Sequence, residues 1–253
     1  MFKRKLNNNL DITFVSTVPG LITINDCLPK QIQKVIPDWW KTMPNYFFDD
    51  PNLNSLFSKI PTVKSCPSFV EFFSQGYVLP MWADTILSYN KLTDDWKWAS
   101  SSPEFSWDLH NKKQFISHTN SVYQGNSSYA IFKANSPWKI ITKPGVSVLQ
   151  LPVYYDFNPD FSVLPGVLRT DVWHVINQQI SVHSKKSEFI IERGTPLVYY
   201  FPFYREKSNL IYREQTEQDK RIFSNSNLKV ITKSLGKRGK EYFKMNVKGE
   251  NNE

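Results

Sequence analysis

Between residues 136 and 206, short runs of β-branched and aromatic residues alternate with Pro-Gly, Asn-Pro and Gly-Thr-Pro breaks. Runs of this length, bounded by turn residues, mark successive strands rather than helices. The pattern begins near Tyr129 and continues to about Arg205. Upstream, Leu10, Ile12 and Phe14 alternate with Asp11 and Thr13, which predicts a first strand over 10–18 that ends at Pro19-Gly20. Residues 21–24 read as a second short strand. Pro29 can open a helix, and Pro37 interrupts the apolar pattern of Ile32, Val35, Ile36, Trp39 and Trp40. That places the helix end near Val35 and makes 36–44 a rigid aromatic connection. Residues 67–73 predict one or two helical turns closed by Gly76 in the C-cap position. Strands follow over 77–80 and 82–88, then one with Trp96 and Trp98 on the same face, and a short one over 115–118. Trp96 and Trp98 read as a cover for one side of the core, or as an aromatic platform for a sugar or base. Helix-compatible runs lie near 214–223 and 227–235.

The fold these elements add up to is mainly β: an antiparallel β-sandwich or barrel, β-clip or jelly-roll-like, with a few short helices. A polar, basic arm over 1–9 precedes a single β-rich domain over 10–205, and a basic, partly helical segment over 206–253 follows it. A chain of 253 residues with 40% hydrophobic and 15% aromatic residues is long and apolar enough to bury a core.

The formal charge of +8 sits at the ends of the chain. Residues 1–9 carry three cations and no acid, and residues 205–253 carry 12 Lys/Arg against 7 Asp/Glu. The stretch between them holds 16 of each sign and is neutral. A basic tail attracts polyanions, so weak contact with nucleic acid through the C-terminal segment is one expectation. Cys27 and Cys66 are too few for a disulfide framework or an all-cysteine zinc site. No apolar run approaches the roughly 18 residues of a membrane span. Asn7, Asn8 and Asn9 stand where a signal peptide needs an apolar stretch. No membrane contact, secretion or cofactor is expected.

Catalytic motifs are missing from the sequence. There is no Gly-x-Ser-x-Gly elbow, no Gly-x-x-x-x-Gly-Lys loop and no Gly-x-Gly-x-x-Gly turn. The four histidines are His110, His118, His174 and His183, and none opens a His-x-Asp or His-x-Glu pair. Asp171, His174 and His183 fall within a short stretch and are the weak metal-ligand candidates. Charged residues set among apolar strands remain: Lys143 beside the Pro144-Gly145 turn, Arg169, Asp171, and Arg205 at the end of an aromatic run. With Trp138 and Asn177 they form the candidate ligand-binding set. An Arg and an Asp at adjacent strand ends are the first place to look.

The wording of three stretches, 36–44, 63–84 and 136–206, resembles a family common in tailed-phage genomes, with relatives in bacteria. That family carries no established activity. The resemblance implies a phage-encoded protein acting in the cytoplasm of an infected cell or carried in the virion. A weaker resemblance, over 138–203, is to the trimeric deoxyuridine triphosphatase and deoxycytidine deaminase β-clip proteins. Gly166, Val167, Leu168, Asp171, Asn177 and Gly194 fit their register. Arg169 stands where that pattern has its catalytic Asp, and Val172 and Trp173 stand where it has a stacking Tyr. The Arg-Ser-Gly phosphate motif is absent. A guanidinium is always charged and cannot act as a general base, so the resemblance implies the fold without the hydrolysis.

The leading expectation is therefore a non-enzymatic β-sandwich module that binds a protein partner or another copy of itself, as a virion or assembly component. The alternative is a nucleotide-directed or metal-dependent enzyme using Asp171, His174 and Arg205.

Overall fold

The computed structural model describes residues 10–48, 59–114, 129–156 and 158–234, without the side chains of Phe48, Lys59 and 226–234. The strand expected over 115–118, with His118, and the arm over 1–9 lie outside the described residues. In chain order the strands are β1 Ile12–Ser16, β2 Lys30–Gln31, β3 Tyr46–Phe48, β4 Lys59–Pro61, β5 Tyr77–Pro80, β6 Thr85–Asn90, β7 Asp95–Ser100 and β8 Trp107–Leu109. The strand-rich second half supplies β9 Ala130–Thr142, β10 Val146–Pro152, β11 Phe161–Val163, β12 Gly166–Leu168, β13 Val175–Val182, β14 Glu188–Ile191 and β15 Pro196–Tyr204. Among the described residues three α-helices accompany them: α1 Asp38–Thr42, α2 Pro67–Ser74 and α3 Glu217–Ser234.

The protein is mainly β and antiparallel. One sheet runs β1-β9-β13-β11, with β8 on the free half of β9; the second runs β12-β10-β15-β5-β2; a third is β14-β6-β7; β3 and β4 form a ribbon. Each path has two ends, so of the two expected architectures the layered one holds and the closed barrel does not. The long strand β9 serves two neighbours on one side. Its first half pairs with β8 at Phe132–Ala134, and its second half pairs with β1 from Trp138 to Thr142. On its other side β9 pairs with β13, with a bulge between Val175 and Asn177.

A single apolar cluster joins the three large sheets. It takes Phe132, Trp138 and Ile140 from β9, Ile176 and Ile180 from β13, Val148 from β10, Val198 and Tyr200 from β15, and Leu87 and Phe189 from the third sheet. Alternation explains the assignment: in a strand, residues two apart share a face. In β15 the other parity is buried too. Tyr199 and Phe201 point to the far side of the sheet, where Trp40 of α1 and Phe69, Phe72 and Phe73 of α2 cover them. That two-sided burial is why residues 196–204 read as a continuous apolar run.

Burying Gln178 and Gln150 between sheets requires partners, because an unpaired amide in an apolar interior is costly. The Gln178 amide donates to the Tyr200 hydroxyl at 2.7 Å, and the Gln150 amide donates to the carbonyl of Leu164 at 2.9 Å. The Tyr200 hydroxyl in turn faces Gln150 Oε1 at 3.4 Å. Burial pushes the Tyr200 phenol well above its ordinary pKa, so it stays a neutral donor.

Several local readings change. Residues 21–24 form a 3-10 turn, Leu21–Thr23, rather than a strand. The short helix expected after Pro29 is a two-residue strand and a 3-10 turn, Ile32–Lys34. The α-helix lies in the segment read as a rigid connection, because Pro37 caps α1 instead of breaking a longer helix. The strand expected over 82–88 is displaced to Thr85–Asn90. Trp96 is buried against Tyr89 and Phe132, while Trp98 on the same strand is 37% exposed. The two C-terminal runs are one helix, α3.

The chain divides into two compact units, Met1–Arg205 and Glu206–Glu253. In the second, Thr216 caps α3: its hydroxyl accepts from the Asp219 amide, and the Asp219 carboxylate accepts from the Thr216 amide at 2.8 Å. The Arg213 guanidinium forks onto the same carboxylate. Among the described residues no helix is long and apolar enough to cross a membrane.

Gly76 tests the packing of α2 on β15. Its φ is +78°, and a Cβ there would meet the Tyr200 carbonyl oxygen at 2.7 Å and the Phe201 ring at 2.8 Å. Substitution Gly76→Ala is expected to cost more than about 1 kcal/mol, since both backbone strain and a clash with main chain oppose it. Equilibrium urea unfolding measures this, and an unchanged midpoint would contradict the packing described.

Candidate binding surface

Two connections cross between the large sheets at one end of their strands. The first is the tight Lys143-Pro144-Gly145-Val146 turn from β9 to β10, closed by the Val146 amide on the Lys143 carbonyl at 3.1 Å, with Gly145 at φ +84°. Proline at the second position and a positive-φ glycine at the third suit a type II turn. The second connection, 169–174, runs from β12 to β13. Between them lies Arg205, just past the end of β15.

Asp171 ties these three segments together. Its carboxylate accepts two guanidinium bonds from Arg205, at 2.8 and 2.5 Å, and one from the Gly145 amide at 2.9 Å. Arg205 also donates to Ser147 Oγ at 2.8 Å, and its amide donates to the Gly145 carbonyl at 2.9 Å. The Asp171 side chain is 5% exposed and that of Arg205 27%. A bidentate Arg–carboxylate pair shielded from water is a directional, strong contact. The guanidinium and the Gly145 N–H hold the Asp171 carboxyl far below the usual carboxylate range.

Further bonds fix the 169–174 turn. Thr170 and Thr142 hydroxyls meet at 2.7 Å. The Arg169 carbonyl accepts from the amides of Val172 and Trp173 at 3.0 and 2.8 Å. His174 Nδ1 lies 2.9 Å from the Thr170 carbonyl and 3.1 Å from that of Ile140. The result is a rigid turn that carries two large apolar side chains outward: Val172 is 65% exposed and Trp173 69%.

The neighbouring sheet face extends the apolar surface. Val15 and Val175 flank Lys139 in one cross-strand row, Ile141 lies one pleat further along β9, and all three apolar members are 40–45% exposed. The exposed Arg169 borders the turn. Lys143 also sits at this end, bound to Asp11 at 2.8 Å. An apolar centre with a cationic border suits contact with another macromolecule; a strongly exposed Trp on a fixed turn is the kind of residue that anchors such contacts.

The candidate residues of the sequence thus separate. Lys143, Asp171 and Arg205 come together, with Arg169 beside them, but Asp171 and Arg205 satisfy each other. Trp138 is 2% exposed and packs edge-on against Phe14 in the core, so its place is structural, with its indole N–H lacking a partner among the described residues. Asn177 is half-buried beside the β13 bulge, opposite Asn135 of β9, and is not part of the Asp171–Arg205 pair. The weak metal candidates do not converge: His174 precedes β13 and His183 follows it. At about 3.3 Å per residue that is more than 25 Å of extended strand. Among the described residues no cluster of His, Cys, Asp or Glu could hold a metal ion. Sequence reasoning passed over Val172 and Trp173 as binding residues; apolar residues in a polar turn, Arg-Thr-Asp-Val-Trp-His, were the available signal.

No protein-family model matches the chain, and no curated protein matches it. Among solved structures it is similar to the deoxyuridine triphosphatase of Staphylococcus aureus phage phi11, at 8% identity and a TM-score of 0.31, over 56% of this chain and 85% of that one. The bacteriophage 80alpha deoxyuridine triphosphatase aligns equally loosely, at 8% identity and a TM-score of 0.31, over 57% of this chain and 85% of that one. Likeness this loose assigns no residue a role.

Asp171 carries a pH prediction. A carboxyl whose folded pKa is lowered stabilises the fold above its unfolded pKa, near 4, and the contribution is lost as pH falls through the folded value. Wild-type stability should therefore decline below about pH 4. Asp171→Asn should be less stable at pH 7 and show a flatter decline between neutral and strongly acidic pH. Urea midpoints across that range check it; parallel curves would show that the carboxylate charge contributes nothing.

Proposed function

We infer that the protein is a non-enzymatic β-sandwich binding module whose contact surface is centred on Trp173, and that it engages a protein partner or another copy of itself. The observation that carries this reading is the exposure of Val172 and Trp173 on a turn fixed by at least five polar contacts. Folding alone gives no reason to hold a large apolar ring rigidly in water. Rigid display removes the ordering cost that a flexible loop would incur on binding. The same end of the sheets devotes its carboxylate and guanidinium to each other, which leaves them occupied in the resting fold. The resemblance in 36–44, 63–84 and 136–206 favours a phage-encoded protein working inside an infected cell or within its particle.

Trp173→Ala separates display from folding. The substitution should leave the melting temperature within a degree or so, because an exposed side chain contributes little to stability. It should abolish either oligomers seen by sedimentation velocity or capture of a specific protein from infected cells. A wild-type chain that stays monomeric and captures nothing beyond what Trp173→Ala captures would refute the proposal.

A further inference from the structure

A second concavity, separate from the Trp173 surface, opens after β10. It is a groove of about 330 Å³ whose walls include Pro152, Tyr154, Phe161, Pro196 and Leu197, with Asp156 and His183 among its titratable members. This is within the size range of small-molecule sites. How Asp156 reaches the groove is unusual. Tyr155 immediately before it has φ +68°, a left-handed conformation that costs a residue with a bulky side chain about 1–2 kcal/mol. Two contacts hold it there. The Trp39 indole donates to the Tyr155 carbonyl at 2.7 Å, and the Tyr155 ring packs on Phe69 at 4.8 Å and Phe73 at 5.8 Å. The aromatic cluster behind β15 thus forces a reversal in the chain, and the next residue enters the groove.

Asp156 has no hydrogen bond or ion pair among the described residues, unlike its neighbour Asp160. That carboxylate accepts from Ser184 Oγ at 2.6 Å and from Lys186 Nζ at 2.9 Å. Asp156 is exposed at the mouth, yet the apolar surface around its carboxyl pushes its pKa above the usual carboxylate range. The buried Tyr199 phenol lies near enough to be pushed up by the Asp156 charge, after the larger effect of its own burial. Among the described residues no cation answers the Asp156 charge.

We propose that this groove binds a protonated primary amine at the end of an alkyl chain, with the ammonium on the Asp156 carboxylate and the chain along Pro152, Phe161, Pro196 and Leu197. An ammonium supplies the missing charge and donors, and the neighbouring Tyr154 ring adds a face that attracts cations. A carboxylate ligand would meet repulsion from Asp156, and a neutral alcohol would fill the walls without answering the charge.

Three probes of equal length test it with the whole chain: n-pentylamine, 1-pentanol and pentanoate, followed by chemical-shift perturbation of amides in 153–156 and 161–162 and by thermal shift. Pentylamine should perturb these amides saturably and at least about tenfold more tightly than pentanol, as expected for a charge-assisted bond. Pentanoate should not bind. Asp156→Asn should lose that preference at an unchanged melting temperature, and Glu104→Gln, an exposed carboxylate elsewhere, should keep it. Nα-acetyl-lysine methylamide tells the source: binding as tight as pentylamine marks a lysine side chain as ligand, and weaker binding marks a free amine. Equal affinities for pentylamine and pentanol, or an Asp156→Asn protein that binds pentylamine as tightly as wild type, would overturn the proposal, as would no saturable binding of pentylamine.

Discussion

A single carboxylate holds one end of the two large sheets together. Two of the connections between the large sheets, the Pro-Gly turn and the 169–174 turn, meet at Asp171, and the end of β15 is fastened to both through Arg205. Apolar packing alone leaves the relative slide of two sheets loosely specified, because contacts between smooth faces are non-directional. A forked guanidinium and a main-chain amide converging on one side chain are directional. They fix the angle at which the strands leave the core, and with it the direction in which Trp173 points.

The rest of the fold is built around β15. Its inner residues Val198 and Tyr200 complete the core shared with β9 and β13, while Tyr199 and Phe201 anchor α1 and α2 on the opposite face. Gly76 lets α2 approach to within contact of that strand. The aromatic residues of α1 and α2 are therefore a second layer, and it is this layer, through Trp39 and Phe69, that twists Tyr155 and delivers Asp156 to its groove. One strand thus connects the Trp173 surface with the Asp156 groove.

Strands in the second half were legible because their period is local: alternate residues point to alternate faces, and turns there carry Pro and Gly. The N-terminal half was harder to read. Pro37 can break a helix or start one, and only the tertiary position of Trp40 under β15 decides between them. The charged pair Asp171 and Arg205 could be singled out from apolar surroundings, yet nothing in sequence spacing showed that they would bind each other. Trp138 stood among the candidate ligand-binding residues and lies in the core; Trp173 looked like a departure from a family pattern and stands in solvent. Burial of a large apolar side chain depends on which layer covers it, and that is a property of the whole fold.

The uneven placement of the eight tryptophans has a practical consequence. Trp40, Trp82, Trp96, Trp107 and Trp138 are buried, Trp39 is half-buried, Trp98 is partly open, and Trp173 is the most exposed. Water-borne quenchers therefore reach chiefly one indole, and the red edge of the intrinsic emission belongs mostly to it. The molecule comes with an optical tag already seated on the turn, able to register what lands there without any label being attached.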